Sequence, residues 1–268
     1  MSQTLKKLSL GFIAVGMAFA GYFAAAPSAS ALTAIADLSA GDLIRGETFS
    51  AVYYMGEDGM RYVFPNQKTY DTWYSNFDSV RFISDTDLAT IQIGGNVTYR
   101  PGVLMVKIVS DSKVYTVSEG GVLRAIDSEA TATDLYGSSW NTMIHDIPDG
   151  FFTNYTLGEE LTSGSDYDAA DATAGTTSID DDKSLEAPAE ISITDSGFSP
   201  IDVTIDAGQG VRFTNDGNDK HNATGDDLTW GTGTMQSGDV WIVTFKEAGT
   251  YTFYDGYDSS NTGAIFVD

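Results

Sequence analysis

Two stretches near the end of the chain decide its fold: FTNDGNDKHNAT at residues 213–224 and GTYTFYDGYDSSNTGAIFV at residues 249–267. Upstream of them, ITDSGFSPIDVTIDAGQGV at residues 193–211 alternates short apolar runs with turn residues. Runs rich in β-branched and aromatic residues, bounded by Gly, Pro, Asn and Asp, are typical of strands. The last third of the chain, residues 190–268, is therefore expected to be a β-sandwich.

The order of these motifs resembles the cupredoxin family, the small copper-binding β-sandwiches of the plastocyanin and amicyanin kind. The resemblance rests on Gly-Phe-x-Pro at residues 197–200, Phe-Thr-Asn at residues 213–215 and Gly-Thr-Tyr at residues 249–251. It covers about the last third of the chain. It implies a Greek-key sandwich with a metal site at one end.

The resemblance also implies four metal-ligand positions, which in this chain carry His221, Asp255, Asp258 and Asn261. The family has a His at the first position and a Cys, a second His and a Met at the others, so only His221 matches. A blue-copper centre needs a thiolate and two imidazoles, and the chain contains no cysteine. We therefore expect no cofactor. The alternative is weak binding of a divalent cation by the imidazole and the nearby oxygens at the former copper site.

The first residues of the chain have the composition of an export signal. Lys6 and Lys7 precede an apolar run at residues 8–26, and Ala-Ser-Ala at residues 29–31 is a small-x-small cleavage site. Cleavage after Ala31 is expected, which makes residues 1–31 a signal peptide. Because the run approaches the ~20 residues that span a bilayer, retention as an anchor is the alternative. In either case the remaining residues are expected outside the cell or at its surface.

The charge of the chain excludes one class of partner. The formal net charge is -24, and removal of Lys6 and Lys7, the only charged residues of the signal, leaves -26. A chain with this field repels nucleic acid and anionic lipid. No nucleic-acid partner is expected.

Residues 32–158 contain an internal repeat, with units at about 43–95 and 103–158. VYYMGEDGMR at residues 52–61 aligns with VYTVSEGGVLR at residues 114–124, and the register continues downstream. Each unit is predicted to be a hairpin around a Gly turn followed by a short helix. The two helices are predicted at residues 66–77 and 128–140. Together the units predict one tandem α+β module.

These repeats resemble units found in tandem on exported, cell-wall-associated proteins of bacteria. The resemblance implies a location at the cell envelope and a binding or scaffolding role. The repeat aromatics are expected in the core, and an aromatic platform for glycans is the alternative. The aromatics concerned are Tyr53, Trp73, Tyr74, Tyr115 and Trp140.

The segment between the two modules is acidic and poor in large apolar residues. Residues 159–190 hold ten acidic residues and one lysine. Such a composition favours an extended, self-repelling chain, so residues 159–189 are predicted to be a disordered acidic linker. The run at residues 180–182, Asp-Asp-Asp, lacks the spacing of an EF-hand loop and is predicted to be solvated.

Catalytic motifs are scarce. The chain has two histidines, His145 and His221, and no nucleophile elbow, Walker loop or zinc-protease helix. His145 is expected to face a strand edge or solvent. We therefore expect no enzymatic activity.

Three Asn-x-Thr sequons, at Asn96, Asn154 and Asn222, are candidate glycosylation sites. They are expected to stay bare in a bacterial chain.

The sequence as a whole predicts a mainly β, exported, non-catalytic surface protein that acts as an envelope-associated scaffold or assembly module. The expected partners are a cell-envelope component or other copies of the chain, with glycans as a further candidate. The alternative function is that of a metal-binding or redox protein of the cupredoxin type, which uses His221 in an atypical site.

Overall fold

The computed structural model describes residues 32–268, and these residues form one compact unit, Leu32–Asp268. The predicted signal peptide, residues 1–31, lies outside the described residues. Most of the regular structure is β-sheet, arranged as two five-stranded sheets and two four-stranded sheets. This confirms the mainly β fold class. None of the helices in the described part of the chain has the length and apolar character needed to cross a membrane.

The first five-stranded sheet is built around the predicted hairpin. Its strands run in the order β4-β1-β2-β3-β5, with antiparallel pairs in the centre and a parallel strand at each edge. The elements of this part are a 3₁₀ turn (Ile35–Asp37), β1 (Leu43–Arg45), β2 (Tyr53–Met55), β3 (Arg61–Val63), α1 (Gln67–Tyr70), β4 (Val80–Phe82), α2 (Asp85–Thr90) and β5 (Ile93–Asn96).

The second sheet has the same pairing pattern as the first. Its order, β10-β8-β7-β6-β9, again has antiparallel pairs in the centre and a parallel strand at each edge. Its strands are β6 (Met105–Ile108), β7 (Tyr115–Ser118), β8 (Val122–Ala125), β9 (Ile144–Ile147) and β10 (Thr156–Leu157). Its helix is α3 (Glu129–Tyr136), and its 3₁₀ turns are Glu119–Gly121, Trp140–Thr142 and Asp149–Asn154. The likeness of these units to bacterial surface repeats stays a prediction.

The helix predicted at residues 66–77 is much shorter in the structure. Asn66 caps its first turn by accepting a hydrogen bond from Thr69 N at 3.0 Å, and α1 ends after one turn. The Thr72 hydroxyl then donates to Thr69 O at 2.7 Å. Such local side-chain bonds compete with helix continuation, which the apolar spacing alone did not reveal.

The helix predicted at residues 128–140 forms as α3. Ser128 caps it by accepting from Thr131 N at 3.2 Å, and Gly137, at a φ of 79°, ends it. A positive φ at this position favours glycine, as is common at helix ends.

The acidic segment, predicted to be a disordered linker, is ordered, and that prediction is wrong. It contains α4 (Ala169–Gly175) and α5 (Ile179–Lys183). Two of its apolar side chains, those of Leu161 and Ile179, are both 0% exposed. We call residues 159–188 the strap. These widely spaced apolar side chains can order the strap only because they pack against the two N-terminal sheets.

Each carboxylate of the predicted solvated run has a partner within the fold. Asp180 accepts from the Tyr54 hydroxyl at 2.5 Å and from Glu57 N at 2.9 Å. Asp181 forms a capping box with the N-cap of α5. Asp182 is buried and accepts from Thr98 Oγ1 and from Gly120 N, each at 3.1 Å. The run therefore fastens the strap to both sheets.

The C-terminal part is a sandwich of two four-stranded sheets. The first, in the order β12-β11-β14-β16, faces the second, in the order β13-β18-β17-β15, across a core of aliphatic and aromatic side chains. The strands are β11 (Ala189–Thr194), β12 (Gly197–Ser199), β13 (Asp202–Ile205), β14 (Gly210–Asn215), β15 (Thr224–Gly225), β16 (Val240–Thr244), β17 (Gly249–Asp255) and β18 (Asp258–Val267).

The outer side of the first sandwich sheet contacts the N-terminal part of the chain. Ile242 on β16 is 4% exposed and belongs to the same apolar cluster as Tyr54, Tyr62 and Met60. Gln92, just before β5, hydrogen-bonds both backbone groups of Ile242. The sandwich therefore packs directly against the N-terminal part of the chain and is not joined to it by a linker alone.

Candidate functional site

His221 lies at one end of the sandwich in a loop that the Phe-Thr-Asn motif holds in place. The buried Asn215 side chain donates to Asp219 O and to Met235 O, each at 2.9 Å, and accepts from Gly217 N at 3.0 Å. The backbone of His221 pairs with that of Met235 in both directions. The Asn215 side chain and the backbone pair with Met235 therefore hold the loop that carries the imidazole.

Both ring nitrogens of His221 face carboxylates. Nδ1 donates to Asp255 Oδ2 at 2.6 Å, and Nε2 lies 3.3 Å from Asp195 Oδ1. The imidazole is 5% exposed and Asp255 is 0% exposed. We call Asp195, His221 and Asp255 the charge triad.

The two carboxylates are themselves held by backbone amides. Asp255 accepts from Asn222 N at 3.2 Å and from Tyr257 N at 3.0 Å. Asp195 accepts from Asn218 N at 2.9 Å and from Asp219 N at 3.1 Å. Backbone donors that point at a carboxylate favour its ionised form.

The triad sets the protonation state of the imidazole. An ionised carboxylate only accepts hydrogen bonds, so both nitrogens of His221 must carry hydrogen to satisfy both partners. Burial alone lowers the pKa of His221, but the hydrogen bonds and negative charges of Asp255 and Asp195 outweigh it, and the pKa lies above 6.5. The amide donors, the Asn218 side chain and His221 lower the pKa of Asp195 to about 2. These contacts favour the imidazolium form of His221 over the neutral ring.

This arrangement changes what His221 offers to a metal. Metal ligation by imidazole requires a nitrogen lone pair, so a metal ion would have to displace a proton from His221. Within residues 32–268, no group of three or more His, Cys, Asp or Glu side chains is placed to hold a metal ion. In the structure, the three side chains of the triad are joined by hydrogen bonds within the protein.

The structure brings together two of the four residues that the sequence singled out. Asp258 is exposed and accepts from the backbone and hydroxyl groups of Ser260, and these bonds lower its pKa. Asn261 is half-buried beside Gly197, whose added Cβ would lie 3.1 Å from Asn261 Oδ1. Among the described residues, the hydrogen-bond partners of His221 side-chain nitrogens are Asp255 and Asp195 alone.

Asp195 was missed by the sequence analysis. It lies in the turn between β11 and β12, 26 residues before His221, and reaches the ring only because that turn lies at the same end of the sandwich. The family resemblance pointed to the loop before β18 and contained no signal for this turn.

The second histidine is engaged elsewhere. His145 is half-buried on β9, an edge strand, where Nδ1 lies 3.3 Å from the Tyr99 hydroxyl. Burial lowers its pKa. The residue lies on an edge strand, whereas its ring, which was predicted to face a strand edge or solvent, packs against Tyr99.

The repeat aromatics are used within the fold. Trp73 donates from Nε1 to Thr98 O at 2.8 Å, and the Arg100 guanidinium lies 5.6 Å from its ring centre. Tyr53 packs under the Arg61 guanidinium at 4.7 Å. These contacts favour the expectation that the aromatics serve the core over a flat platform for sugars.

Comparison with known proteins gives a likeness among solved structures only. No family model matches the chain, and no curated protein matches it. A purple cupredoxin from Nitrosopumilus maritimus is similar at 24% identity and a TM-score of 0.29, over 30% of this chain and 99% of that one. A methionine-to-alanine mutant of amicyanin with Cu(I) is similar at 20% identity and a TM-score of 0.29, over 30% of this chain and 82% of the other.

An enzyme also occurs among the similar structures. The copper-containing nitrite reductase of Thermus scotoductus SA-01 is 21% identical with a TM-score of 0.28, over 30% of this chain. The chain spans 22% of the length of that reductase. The chain is thus a mainly β protein to which cupredoxins are similar over 30% of its length.

Proposed function

We propose that the chain is a non-catalytic, exported cell-surface protein that acts as an envelope-associated scaffold. In this proposal, the end of the sandwich that holds His221, at the position of a copper site in cupredoxins, has a structural role. The observation that carries the proposal is the charge triad, in which Asp255 and Asp195 occupy both ring nitrogens of His221.

The composition of the chain supports a role without electron transfer. The chain has no cysteine to supply the thiolate of a blue-copper centre. Its formal charge of -24 suits a surface protein that stays soluble outside the cell. The apolar run at residues 8–26 and the small-x-small site at residues 29–31 favour export.

The placement of the histidines favours a non-catalytic role. A general base needs a nitrogen within hydrogen-bond reach of the proton that it removes. Both ring nitrogens of His221 face carboxylates, and the Nδ1 of His145 lies 3.3 Å from the Tyr99 hydroxyl. In the proposed function neither imidazole transfers protons.

The direct test is elemental analysis of the chain purified from its native cell envelope, followed by titration with Cu(II), Ca²⁺ and Mn²⁺. The proposal expects recovery in the envelope or outside the cell, less than one metal ion per ten chains, and no saturable binding near His221. Stoichiometric copper would establish the alternative, a metal-binding or redox protein. Stoichiometric calcium or manganese lost in an Asp255→Asn variant would place a cation at the former copper site and also refute the proposal. Recovery in the cytoplasm would refute export.

A further inference from the structure

A cavity of about 290 Å³ opens at the β4 edge of the first sheet, on a different part of the chain from the charge triad. This volume is close to the lower end of the range of about 300–1,000 Å³ that is typical of small-molecule sites. Four of the six lining side chains are apolar, and one is charged. The lining residues are Arg45, Ser50, Val52, Phe77, Val80 and Phe82. We call this cavity the Arg45 pocket.

The apolar wall of the Arg45 pocket is held in place by the fold. The ring of Phe77 stacks on that of the buried Tyr70, with ring centres 4.2 Å apart. The Tyr70 hydroxyl donates to Asn76 O at 2.6 Å, and Val80 N donates to Phe77 O at 3.1 Å. Phe77 is nevertheless 46% exposed. The pocket therefore offers a fixed aromatic surface that the rest of the described chain does not cover.

The guanidinium of Arg45 is held at this pocket by backbone carbonyl groups. Its Nε donates to Gly46 O at 3.3 Å, and its Nη2 donates to Phe49 O at 3.1 Å. The guanidinium carbon lies 4.9 Å from the centre of the Phe82 ring. Among residues 32–268, those two carbonyl oxygens are its only hydrogen-bond acceptors. A guanidinium has five N–H donors, so Arg45 keeps donors for a further acceptor.

The second sheet shows the same position with a carboxylate in place. Arg45 is opposite Phe82 at the third pair of the β1–β4 ladder, and Lys107 is opposite Asp146 at the third pair of the β6–β9 ladder. Lys107 Nζ lies 2.6 Å from Asp146 Oδ1. In the first sheet the Phe82 ring stands where the second sheet has that carboxylate. The first sheet thus has the cation of this pair without its anion.

We propose that the Arg45 pocket binds a small organic carboxylate with an apolar body. The carboxylate of the ligand accepts from Arg45 and from the Ser50 hydroxyl, and so supplies the anion that Asp146 supplies in the second sheet. The planar guanidinium matches a carboxylate with two parallel hydrogen bonds. The body of the ligand packs on the rings of Phe77 and Phe82, since aromatic side chains offer a large apolar contact surface. This inference goes beyond the proposed scaffold function and does not depend on it.

The charges around the Arg45 pocket favour an anion as its ligand. None of the six lining residues is acidic. Glu47 and Asp78, which are close in sequence to Arg45 and Phe77, are not among them. The net charge of -24 repels an anion at long range. At ~150 mM salt, however, the Debye length of about 8 Å screens the distant carboxylates and leaves a direct contact with Arg45.

The experiment is a titration of the compact unit Leu32–Asp268 with sodium hydrocinnamate, at about pH 7 in ~150 mM NaCl, followed by ¹H–¹⁵N correlation spectra. The expected result is a set of saturable shifts centred on the amides of Arg45, Phe77 and Phe82. For a ligand of this size, a Kd of ~1 mM or below is expected. Hydrocinnamamide, which has the same body without the charge, is expected to bind at least ~10-fold more weakly.

The second sheet supplies the design of the variants. Phe82→Asp places a carboxylate opposite Arg45, as Asp146 is opposite Lys107, and is expected to weaken hydrocinnamate binding at least ~10-fold because Arg45 is then paired within the chain. Arg45→Gln removes the cation and is expected to weaken binding to a similar extent. Lys107→Gln changes the matched position of the second sheet and is the control, which binds like the wild type.

Far-ultraviolet circular dichroism shows whether each variant is folded, and Arg45→Gln tests the site if Phe82→Asp does not fold. Three results would overturn the inference. They are the absence of saturable shifts up to ~20 mM hydrocinnamate, equal binding of hydrocinnamate and hydrocinnamamide, and equal binding of hydrocinnamate by the wild type and Arg45→Gln.

Discussion

The side-chain amide of Gln92 hydrogen-bonds both backbone groups of Ile242, 150 residues further along the chain. Gln92 Nε2 donates to Ile242 O at 3.0 Å, and Ile242 N donates to Gln92 Oε1 at 3.1 Å. One side chain thus acts as a short neighbouring strand for the edge of β16. The contact fixes the sandwich to the first sheet.

Gln92→Ala is expected to destabilise the chain by about 1–3 kcal/mol, because it leaves two buried backbone groups without partners. Urea unfolding of the variant, followed by tryptophan fluorescence, measures the loss. Gln67→Ala, at an exposed position of α1, is the control and is expected to change stability by less than about 0.5 kcal/mol. Equal stability of both variants would show that the docked arrangement is not maintained in solution.

Asp180→Ala is expected to loosen the strap. The substitution removes hydrogen bonds from the Tyr54 hydroxyl and from Glu57 N, and bonds to charged groups contribute about 1.5–3 kcal/mol each. Limited proteolysis should cut within residues 159–188 faster than in the wild type. Glu247→Ala, at an exposed position between β16 and β17, should digest like the wild type. Rapid cleavage of the wild-type strap itself would contradict its order.

Gly59→Ala is expected to cost more stability than Gly233→Ala. Both glycines have a positive φ, at 80° and 68°, so both substitutions carry a left-handed strain of about 1–2 kcal/mol. Only at Gly59 would the new Cβ also clash with Arg212 Nη2, whereas nothing lies within 4 Å of a Cβ added at Gly233. Overpacking adds about 1–3 kcal/mol. Thermal unfolding of both variants measures the difference, and equal losses would mean that Arg212 moves away freely.

The charge triad predicts a pH dependence of stability. The pKa of His221 is raised above 6.5 in the folded chain, so its stabilisation is complete below about pH 6.5 and declines as the pH rises through the folded-state pKa. His221→Gln leaves Asp255 buried without a counter-charge and is expected to cost about 3 kcal/mol below pH 6.5. The gap between wild type and variant should narrow at higher pH. Chemical denaturation from pH 5 to pH 9 measures it.

His145→Gln is the control for this pH profile. Burial lowers the pKa of His145, so its contribution to stability is present above about pH 6.5 and declines as the pH falls through the folded-state value. Above that pH its profile should run parallel to that of the wild type. A His221→Gln profile that is also parallel to the wild type throughout would contradict the imidazolium.

The sandwich and the two hairpins could be predicted from the sequence because their signals are local. Alternating residues such as Tyr53 and Val63, which pair across β2 and β3, lie close in the chain around a glycine turn. That His221 and Asp255 lie close together was predicted from the cupredoxin resemblance, which assigned both residues to metal-ligand positions.

The order of the strap could not be predicted, because it depends on contacts made far along the chain. Ile179 has charged neighbours and carries no periodic pattern, yet it is fully buried in the cluster that includes Tyr54 and Ile242. Asp195 was hidden for the same reason. Its role depends on which turn lies near His221 in space, which neither composition nor spacing records.

The measurement that tests the charge triad most directly is a long-range ¹H–¹⁵N correlation spectrum of the imidazoles of Leu32–Asp268 near pH 6.5, before and after addition of equimolar Cu(II) and Ca²⁺. We predict that both nitrogens of His221 are protonated, that His145 is protonated to a smaller extent than His221, and that neither cation shifts the His221 resonances. A neutral His221 with one unprotonated nitrogen that responds to added metal would contradict it.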